Sequence, residues 1–555
     1  MPVSRRGGRV KSSRKTPRFD ARLTLIIAAA LIGAFLRFTE TRSRIAEPLV
    51  HTDDIEYYAL GRSVRERGFL TDPHRSWRPT AMRGMLYPSF IAAASGLSHN
   101  RRGAVRWAQA VLGVAAIIAV GALGWAVYSP MCGVLAAFLL AFDPRHIASG
   151  AELFIEHFYG FALIWVALML VAFARDKRPG WAAAAAWAIG VTLTCRSTLF
   201  ALPLVAAAWG LRERKRGQAP WLLLAAFLFL VPWTLRNAYL FQSFIPFEQG
   251  TSTAALVGAS KGMTVGPLWR ELNEEADNRH RREAYVRIVT RPHVYLWGVV
   301  KRVPRLLLWI GAELGWVGLP LAAWGMWAAR GVPGMAGLNM LILYFVGVHL
   351  LIAPQQRYLY PLIPLLLVMV SAGLLALGEK WKWVLKSKPE VLPPVLGRVI
   401  VAGGALLTAL VAIGVMTGVR EVRAFSFGQG LLSVSAYQAG LADVQQRLAR
   451  HPEDLELLAE RAALRGELSD WAGSGADWEV VVRHAPGNIT ARLALARALR
   501  KTRRIDEALT VLDDAEVWRG SGKTNANEFV WADVRAEREE IVRIRAERYE
   551  EERHP

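Results

Sequence analysis

Two adjacent carboxylates, Asp53 and Asp54, stand in the stretch "HTDDIEYYALGRSVRERG", and Arg62, Arg65, Arg67, Arg78 and Arg83 follow in the same loop. A carboxylate can take a proton from a hydroxyl, and the planar guanidinium fork grips phosphate oxygens two at a time. The signal recurs downstream. "DPRHIASGAELFIEHFYGF" carries Asp143, Arg145, His146, Glu152 and Glu156, and Arg196 interrupts an apolar stretch in "TCRSTLF". Arg236 and Asn237 stand in "PWTLRN", and Arg357 in "PQQRYLYP". Each has a plainer reading. Asp53 with Glu56 three residues later has the form of a helix cap and its reciprocal partner. Glu156 could cap its helix or pair with an arginine, and a single arginine beside apolar sequence can snorkel to an interface. Chemistry needs a scaffold that gathers these residues at one place.

That scaffold reads as a membrane domain. The 555 residues are 53% hydrophobic and include 21 tryptophans, more apolar surface than a soluble fold hides. Apolar runs near the ~20 residues that cross a bilayer as helix fall at 23–39, 104–127, 131–149, 152–174, 180–195, 197–211, 219–236, 314–329, 336–353, 358–378 and 397–419. Lys and Arg mark the cytoplasmic side of short loops. The N-terminal arm holds Arg5, Arg6, Arg9, Lys11, Arg14, Lys15, Arg18 and Arg22. With the arm inside and the spans alternating, the basic loops at 174–180, 212–217 and 379–388 also fall inside. The arm is not a cleavable signal, because no small-residue cleavage site follows its apolar run.

The sequence therefore predicts an all-α polytopic membrane protein with about eleven spans. A basic arm (1–22) precedes a membrane domain (23–420) with outside loops at about 40–103 and 237–313, and residues 421–555 lie outside. In a bacterium this means the inner membrane, with the N-terminus cytoplasmic and the C-terminus periplasmic. The net charge of +22 is largely loop charge and suits anionic lipid headgroups. No zinc, helix-turn-helix or stacking motif accompanies it, which excludes a nucleic-acid partner. Cys132 and Cys195, the only cysteines, both lie in apolar spans, so neither a disulfide framework nor a thiolate metal site is expected.

After about residue 420 the sequence becomes charged and rich in Ala and Leu. Pro452 and Pro486 are 34 residues apart, as are Ser474 and Ala508, which is the tetratricopeptide period. About two repeats and a final helix at 526–551 are expected; the alternative is an ordinary pair of helical hairpins. Such repeats offer a concave surface for a protein partner. No catalytic constellation stands out here, so the region is expected to recruit an acceptor and to leave the chemistry to the membrane domain.

Taken in order, the acids after span one, the arginine and Tyr87-Pro88 later in that loop, the acid opening span four, "PWTLRN" after span seven and "QQRYLYP" before span ten resemble the GT-C glycosyltransferases. The likeness covers roughly residues 20–420 and is greatest to the protein mannosyltransferase-like group, which includes the lipid A aminoarabinose transferases. It implies transfer of a sugar from a polyprenyl-phosphate donor to an acceptor hydroxyl outside the membrane, on a protein, lipid or glycan, with inversion. It also implies roles: Asp53, or Asp54 beside it, as the catalytic carboxylate and general base, and Glu156 where many relatives have an aspartate. Arg83 with Tyr87, and Arg196, Arg236 and Arg357, would meet the lipid phosphate. Relatives often have Pro directly after the cation, whereas Gly84 follows Arg83 here. No cofactor is required outright; a divalent metal ion held by Asp53 and Glu156 stays open. Two other classes are a transporter or flippase, which calls for midplane charges and internal repeats, and a non-enzymatic scaffold that anchors the C-terminal arm.

Overall fold

The computed structural model describes residues 20–553 apart from 46, 48, 50, 51, 72–78, 99–100, 177, 213–216, 249–250, 265–273, 333, 383–387, 427–433 and 521–527. The basic arm before residue 20, Arg78 and parts of the basic loops at 174–180, 212–217 and 379–388 fall outside the described residues. The described residues are helical throughout, with one isolated bridge between Thr71 and Pro79.

Chain order begins with α1 (Ala21–Arg44), α2 (Thr52–Arg67), α3 (Leu86–Ala94), α4 (Arg101–Val127), α5 (Pro130–Phe142), α6 (Pro144–Ala151), α7 (Ile155–Arg175) and α8 (Pro179–Leu193). It continues with α9 (Leu202–Arg212), α10 (Ala219–Leu228), α11 (Val231–Phe241), α12 (Thr251–Ser260), α13 (Glu274–Thr290), α14 (Pro292–Leu314), α15 (Gly318–Ala328), α16 (Met335–Leu351), α17 (Ile363–Lys380) and α18 (Pro394–Ser426). Each apolar run read from the sequence falls on a helix or a helix pair. Local chemistry sets the breaks. Asp143 caps α6, its side chain accepting from the His146 N–H at 2.7 Å, and Pro144 starts that helix. The run 131–149 is consequently two helices bent by 57°. Pro232 at the start of α11 divides 219–236 in the same way, with a 40° bend. Between α14 and α15 the chain turns by 100° through Gly315, whose φ of +73° favours glycine.

Among the described residues five helices are long and apolar enough to cross a membrane, and eight if each bent pair is one span; α8, α16 and the segment Ser197–Arg212 are shorter apolar helices. This is a multi-pass membrane protein, and the expected eleven spans are reached only when the three shorter helices are counted with the eight. α7 is the central post, buried over nearly its whole length, with Phe158, Phe161 and Trp165 in the core. The two ends of the bundle separate chemically. At one end Arg22 pairs with Glu390 at 2.9 Å and Arg175 donates to the Ala126 carbonyl at 2.7 Å. The opposite end carries α2 and the loops around it.

The last helices are α19 (Val434–Arg450), α20 (Leu455–Glu467), α21 (Trp471–His484), α22 (Ile489–Lys501), α23 (Ile505–Gly520) and α24 (Glu528–Arg553). The starts of α20 and α22 lie 34 residues apart, as do those of α21 and α23. Small residues sit where the helices touch: Ser474 is buried, with its hydroxyl on the Ala462 carbonyl at 2.7 Å, and Ala508 has no exposure. These helices have a core of their own, including Leu464, Trp478, Leu495 and Leu512.

Candidate active site

Asp53 lies in the first turn of α2, and Glu56 and Tyr57, three and four residues on, share its face. The loop before α3 lays Arg83 along that face. Its Nη2 donates to Asp53 Oδ1 at 2.6 Å and to Glu56 Oε2 at 2.6 Å, its Nε reaches Glu56 Oε2 at 3.1 Å, and its guanidinium sits 4.9 Å from the Tyr57 ring centre. The two acids of the cap pattern thus both engage Arg83. Gly84 has a steric reason: a Cβ there would lie 2.5 Å from the Thr194 carbonyl oxygen and 2.7 Å from that of Cys195. Its absence seats the Arg83 loop directly on the turn that presents Arg196.

The other face of the cluster comes from three distant elements. Glu156, in the first turn of α7, is 2% exposed and lies 3.2 Å from Arg196 Nη2. Arg357 opens the 3-10 segment Gln356–Leu362; it donates to Asp53 Oδ2 and comes within 4.0 Å of Glu156. One guanidinium therefore joins the two predicted acids, which start 103 residues apart in sequence. Tyr358 lies beside both cations, with ring-centre distances of 4.7 Å to Arg196 and 5.7 Å to Arg357. Asp53 and Arg357 keep 20% and 28% of their side chains exposed, so they are the accessible members of the set.

Charge governs the acids. Burial opposes ionisation of Asp53, but Arg83, Arg357 and Arg196 outweigh it and hold the carboxyl well below the usual range. Asp54 feels Arg357 only as a minor influence. Burial, then the negative charges of Asp53, Glu152 and Glu156, push its carboxyl up to about 8. Two neighbouring aspartates are thus driven apart, one fixed as an anion and one able to carry a proton near neutrality.

Two residues expected at the phosphate are placed differently. Arg236 is 2% exposed and its guanidinium is engaged by Glu421 Oε2 at 2.7 Å, the Thr80 carbonyl at 2.9 Å and Asn237 Oδ1 at 2.7 Å. It braces α11 against α18 and does not join Asp53. Tyr87 is fully buried behind the cluster, edge-on to Tyr57 at 5.0 Å, and supports that ring. The sequence reading left out Glu56 as a site residue, along with Tyr57, Tyr358 and Glu248, which accepts from the backbone N–H and hydroxyl of Ser197 at 2.8 Å next to Arg196. For Glu56 and Tyr57 the available signal was the helical spacing from Asp53. The proposed metal ligands do not fit a divalent cation: Asp53 and Glu156 already face three guanidiniums, and among the described residues no three His, Cys, Asp or Glu side chains come together as a metal set.

A family model described as dolichyl-phosphate-mannose-protein mannosyltransferase matches residues 82–235. That stretch contains Arg83, Tyr87, Glu156 and Arg196, and it bears out the resemblance to the GT-C glycosyltransferases. No curated protein matches the chain. Among solved structures the chain is similar to the archaeal oligosaccharyltransferase AglB from Archaeoglobus fulgidus in complex with an inhibitory peptide and a dolichol-phosphate, at 14% identity over 72% of this chain and 56% of that one, TM-score 0.44. It is also similar to ArnT from Cupriavidus metallidurans bound to undecaprenyl phosphate, at 15% identity over 89% of this chain and 80% of that one, TM-score 0.40. The chain spans about half the length of the oligosaccharyltransferase.

Proposed function

We propose that this protein is a glycosyltransferase that moves a sugar from a polyprenyl-phosphate carrier to an acceptor hydroxyl at the outer face of a bacterial inner membrane, with inversion at the anomeric carbon. The observation that carries the reading is the meeting of Asp53 and Glu156 with Arg83, Arg196 and Arg357, drawn from five separate parts of the chain. A scaffold has no use for that convergence, and a transporter would set its charges at the bilayer midplane.

Arg83, Arg196 and Arg357 receive the donor phosphate. Asp53 takes the proton of the acceptor hydroxyl as the acceptor oxygen bonds to the anomeric carbon. The bond from that carbon to the phosphate oxygen breaks, and its electron pair leaves on the phosphate, where the guanidiniums meet the growing charge. The ground-state ion pairs give this step an order. Until an anion arrives, Arg83 and Arg357 hold Asp53 as a weak base. Phosphate competes for the same guanidiniums, loosens their grip on Asp53 and strengthens it as a base when the donor is in place. Glu156, between Arg196 and Arg357, keeps the two cations from repelling each other in the empty site.

The reading is tested by mass spectrometry of the glycoproteins and glycolipids of a deletion strain, together with release of polyprenyl phosphate by the purified protein given the donor and acceptor so identified. Loss of one sugar from one acceptor class, restored by wild type and not by Asp53→Asn, supports it. An unchanged glycan and glycolipid profile opposes it.

A further inference from the structure

The helix that carries Asp53 is held at its far end by the C-terminal helices. Arg62 and Arg67, about two and a half and about four turns beyond Asp53, reach Glu460 of α20: Arg62 Nη2 lies 3.2 Å from Glu460 Oε2, and Arg67 pairs with Oε1. Arg447 of α19 approaches the same carboxylate at 3.8 Å and reaches Glu66 of α2 at 2.9 Å. Glu456, one turn before Glu460, pairs with Arg62 at 3.1 Å and with Arg102 at the head of α4. Glu66 in turn pairs with Arg62 at 3.1 Å and with Arg101. Glu460 is only 2% exposed. Beside this network lies a polar cleft of about 1240 Å³ lined by Tyr58, Arg65, Arg450 and His451 among others. The junction is therefore rich in ion pairs.

The last span grips the same end. Glu421 of α18 accepts from the Leu70 N–H at 2.6 Å, and Arg420 packs over Gly68, whose φ is +76°. A Cβ on Gly68 would come within 2.8 Å of the Arg420 guanidinium. The far end of the helix that carries these acids is thus fastened to α18 as well as to α19 and α20. Asp53 and Arg62 are nine residues apart, about 14 Å along the axis, so a tilt of only about 4° at the staple moves Asp53 by about 1 Å. A displacement of about 1 Å at a reacting group can cost about a hundredfold in rate.

We propose that Glu460, supported by Glu456, is a positioning residue for the acids of α2, so that the C-terminal helices are part of what assembles the active site. Its kinetic consequence rests on the glycosyl-transfer reading; the placement of α2 does not. This differs from the expectation that residues after 420 only recruit an acceptor. Removing them would leave Arg62, Arg67 and Glu66 without their partners on α19 and α20.

The test uses the full chain in lipid nanodiscs with Glu460→Gln, Glu456→Gln and Glu460→Asp. Amide hydrogen exchange over residues 52–67 and steady-state transfer to a small hydroxyl acceptor are measured for each. Glu460→Gln should speed exchange over 52–67 by about tenfold and lower kcat by about tenfold or more, with acceptor KM within about twofold of wild type. Glu460→Asp, which keeps the charge, should recover part of both. A lower melting temperature with unchanged exchange and kcat would make Glu460 a merely structural residue and overturn the proposal. Should Glu460→Gln not fold, Glu456→Gln carries the same test with a smaller change of the same sign, and wild-type values there overturn it too. If the wild-type chain transfers no sugar, the functional reading fails, and exchange alone still decides whether Glu460 places α2.

Discussion

α2 has an arginine–carboxylate cluster at each end, and the two differ in what a visiting anion can do to them. At the Glu460 end, two guanidiniums of α2 and one of α19 converge on a carboxylate with 2% exposure. The contact joins two regions of the chain and buries this carboxylate, while its partners Arg62 and Arg447 also line the adjoining cleft. At the Asp53 end, the acid and Arg357 retain 20% and 28% exposure, and Arg83 and Arg357 each serve two acids. On the proposed function, those are the pairs that a donor phosphate exchanges. Similar residue types thus fasten two regions at one end of α2 and, on the proposed function, meet the donor phosphate at the other. A buried pair specifies geometry and adds little net stability until one partner is removed.

The largest expected break in this comparison is Asp53→Asn. The amide keeps the shape and removes the base, so turnover should fall roughly 10²- to 10⁴-fold in a steady-state assay. The lost pairs to Arg83 and Arg357 should also lower the melting temperature, to an extent limited by Glu56 and Glu156, which still face those cations. Arg357→Ala comes next. It removes the cation that joins Asp53 to Glu156 and should lower kcat by about a hundredfold; Arg357→Lys should recover only part, because an ammonium cannot span two acceptors as the fork does. At the sealed end, Glu460→Gln leaves three guanidiniums facing a neutral amide and should cost about 3–5 kcal/mol of stability, read by thermal unfolding of the detergent-purified protein. The Asp53 and Glu460 variants should therefore be weighted oppositely: the larger loss of activity in the first, and the larger loss of stability with a smaller fall in kcat in the second.

The smallest effect belongs to Asp54→Asn. The Asp54 carboxyl is raised from 3.8 to about 8, so the folded state binds its proton more tightly than the unfolded state does. Stability from this group is accordingly present at low pH and falls as pH climbs through that window. The asparagine variant should show a flatter melting-temperature profile between pH 4 and 8 and be the more stable protein at the alkaline end. A wild-type slope in the variant would mean that Asp54 is ionised throughout.

Most of the helical architecture was legible in the sequence because apolar runs of span length carry their own signal. The bends at Asp143-Pro144 and Pro232 were marked by residues that cap or break helices. The 100° turn at Gly315 was not, because 292–314 reads as the end of an outside loop when it is a helix of its own. Within the site, Asp53, Glu156, Arg83, Arg196 and Arg357 could be named from residue type and order. Glu56 was hidden because its spacing from Asp53 is also that of a capping box, and only the position of Arg83 separates the two. Arg236 was grouped with the phosphate arginines since its partner, Glu421, lies 185 residues away and no local pattern points to it. The same distance problem concealed the link from Arg62 to Glu456, 394 residues on.

The account turns on the claim that Asp53 and the donor phosphate compete for Arg83 and Arg357. Native mass spectrometry or calorimetry of undecaprenyl phosphate binding to wild type and to Asp53→Asn tests it directly. With the carboxylate gone, the guanidiniums lose their resident anion, so the catalytically dead variant should bind the lipid phosphate at least as tightly as wild type, and tighter by about tenfold if the competition is strong. Weaker binding by Asp53→Asn would contradict the account: the aspartate would then be holding the arginines in place for the phosphate and not competing with it.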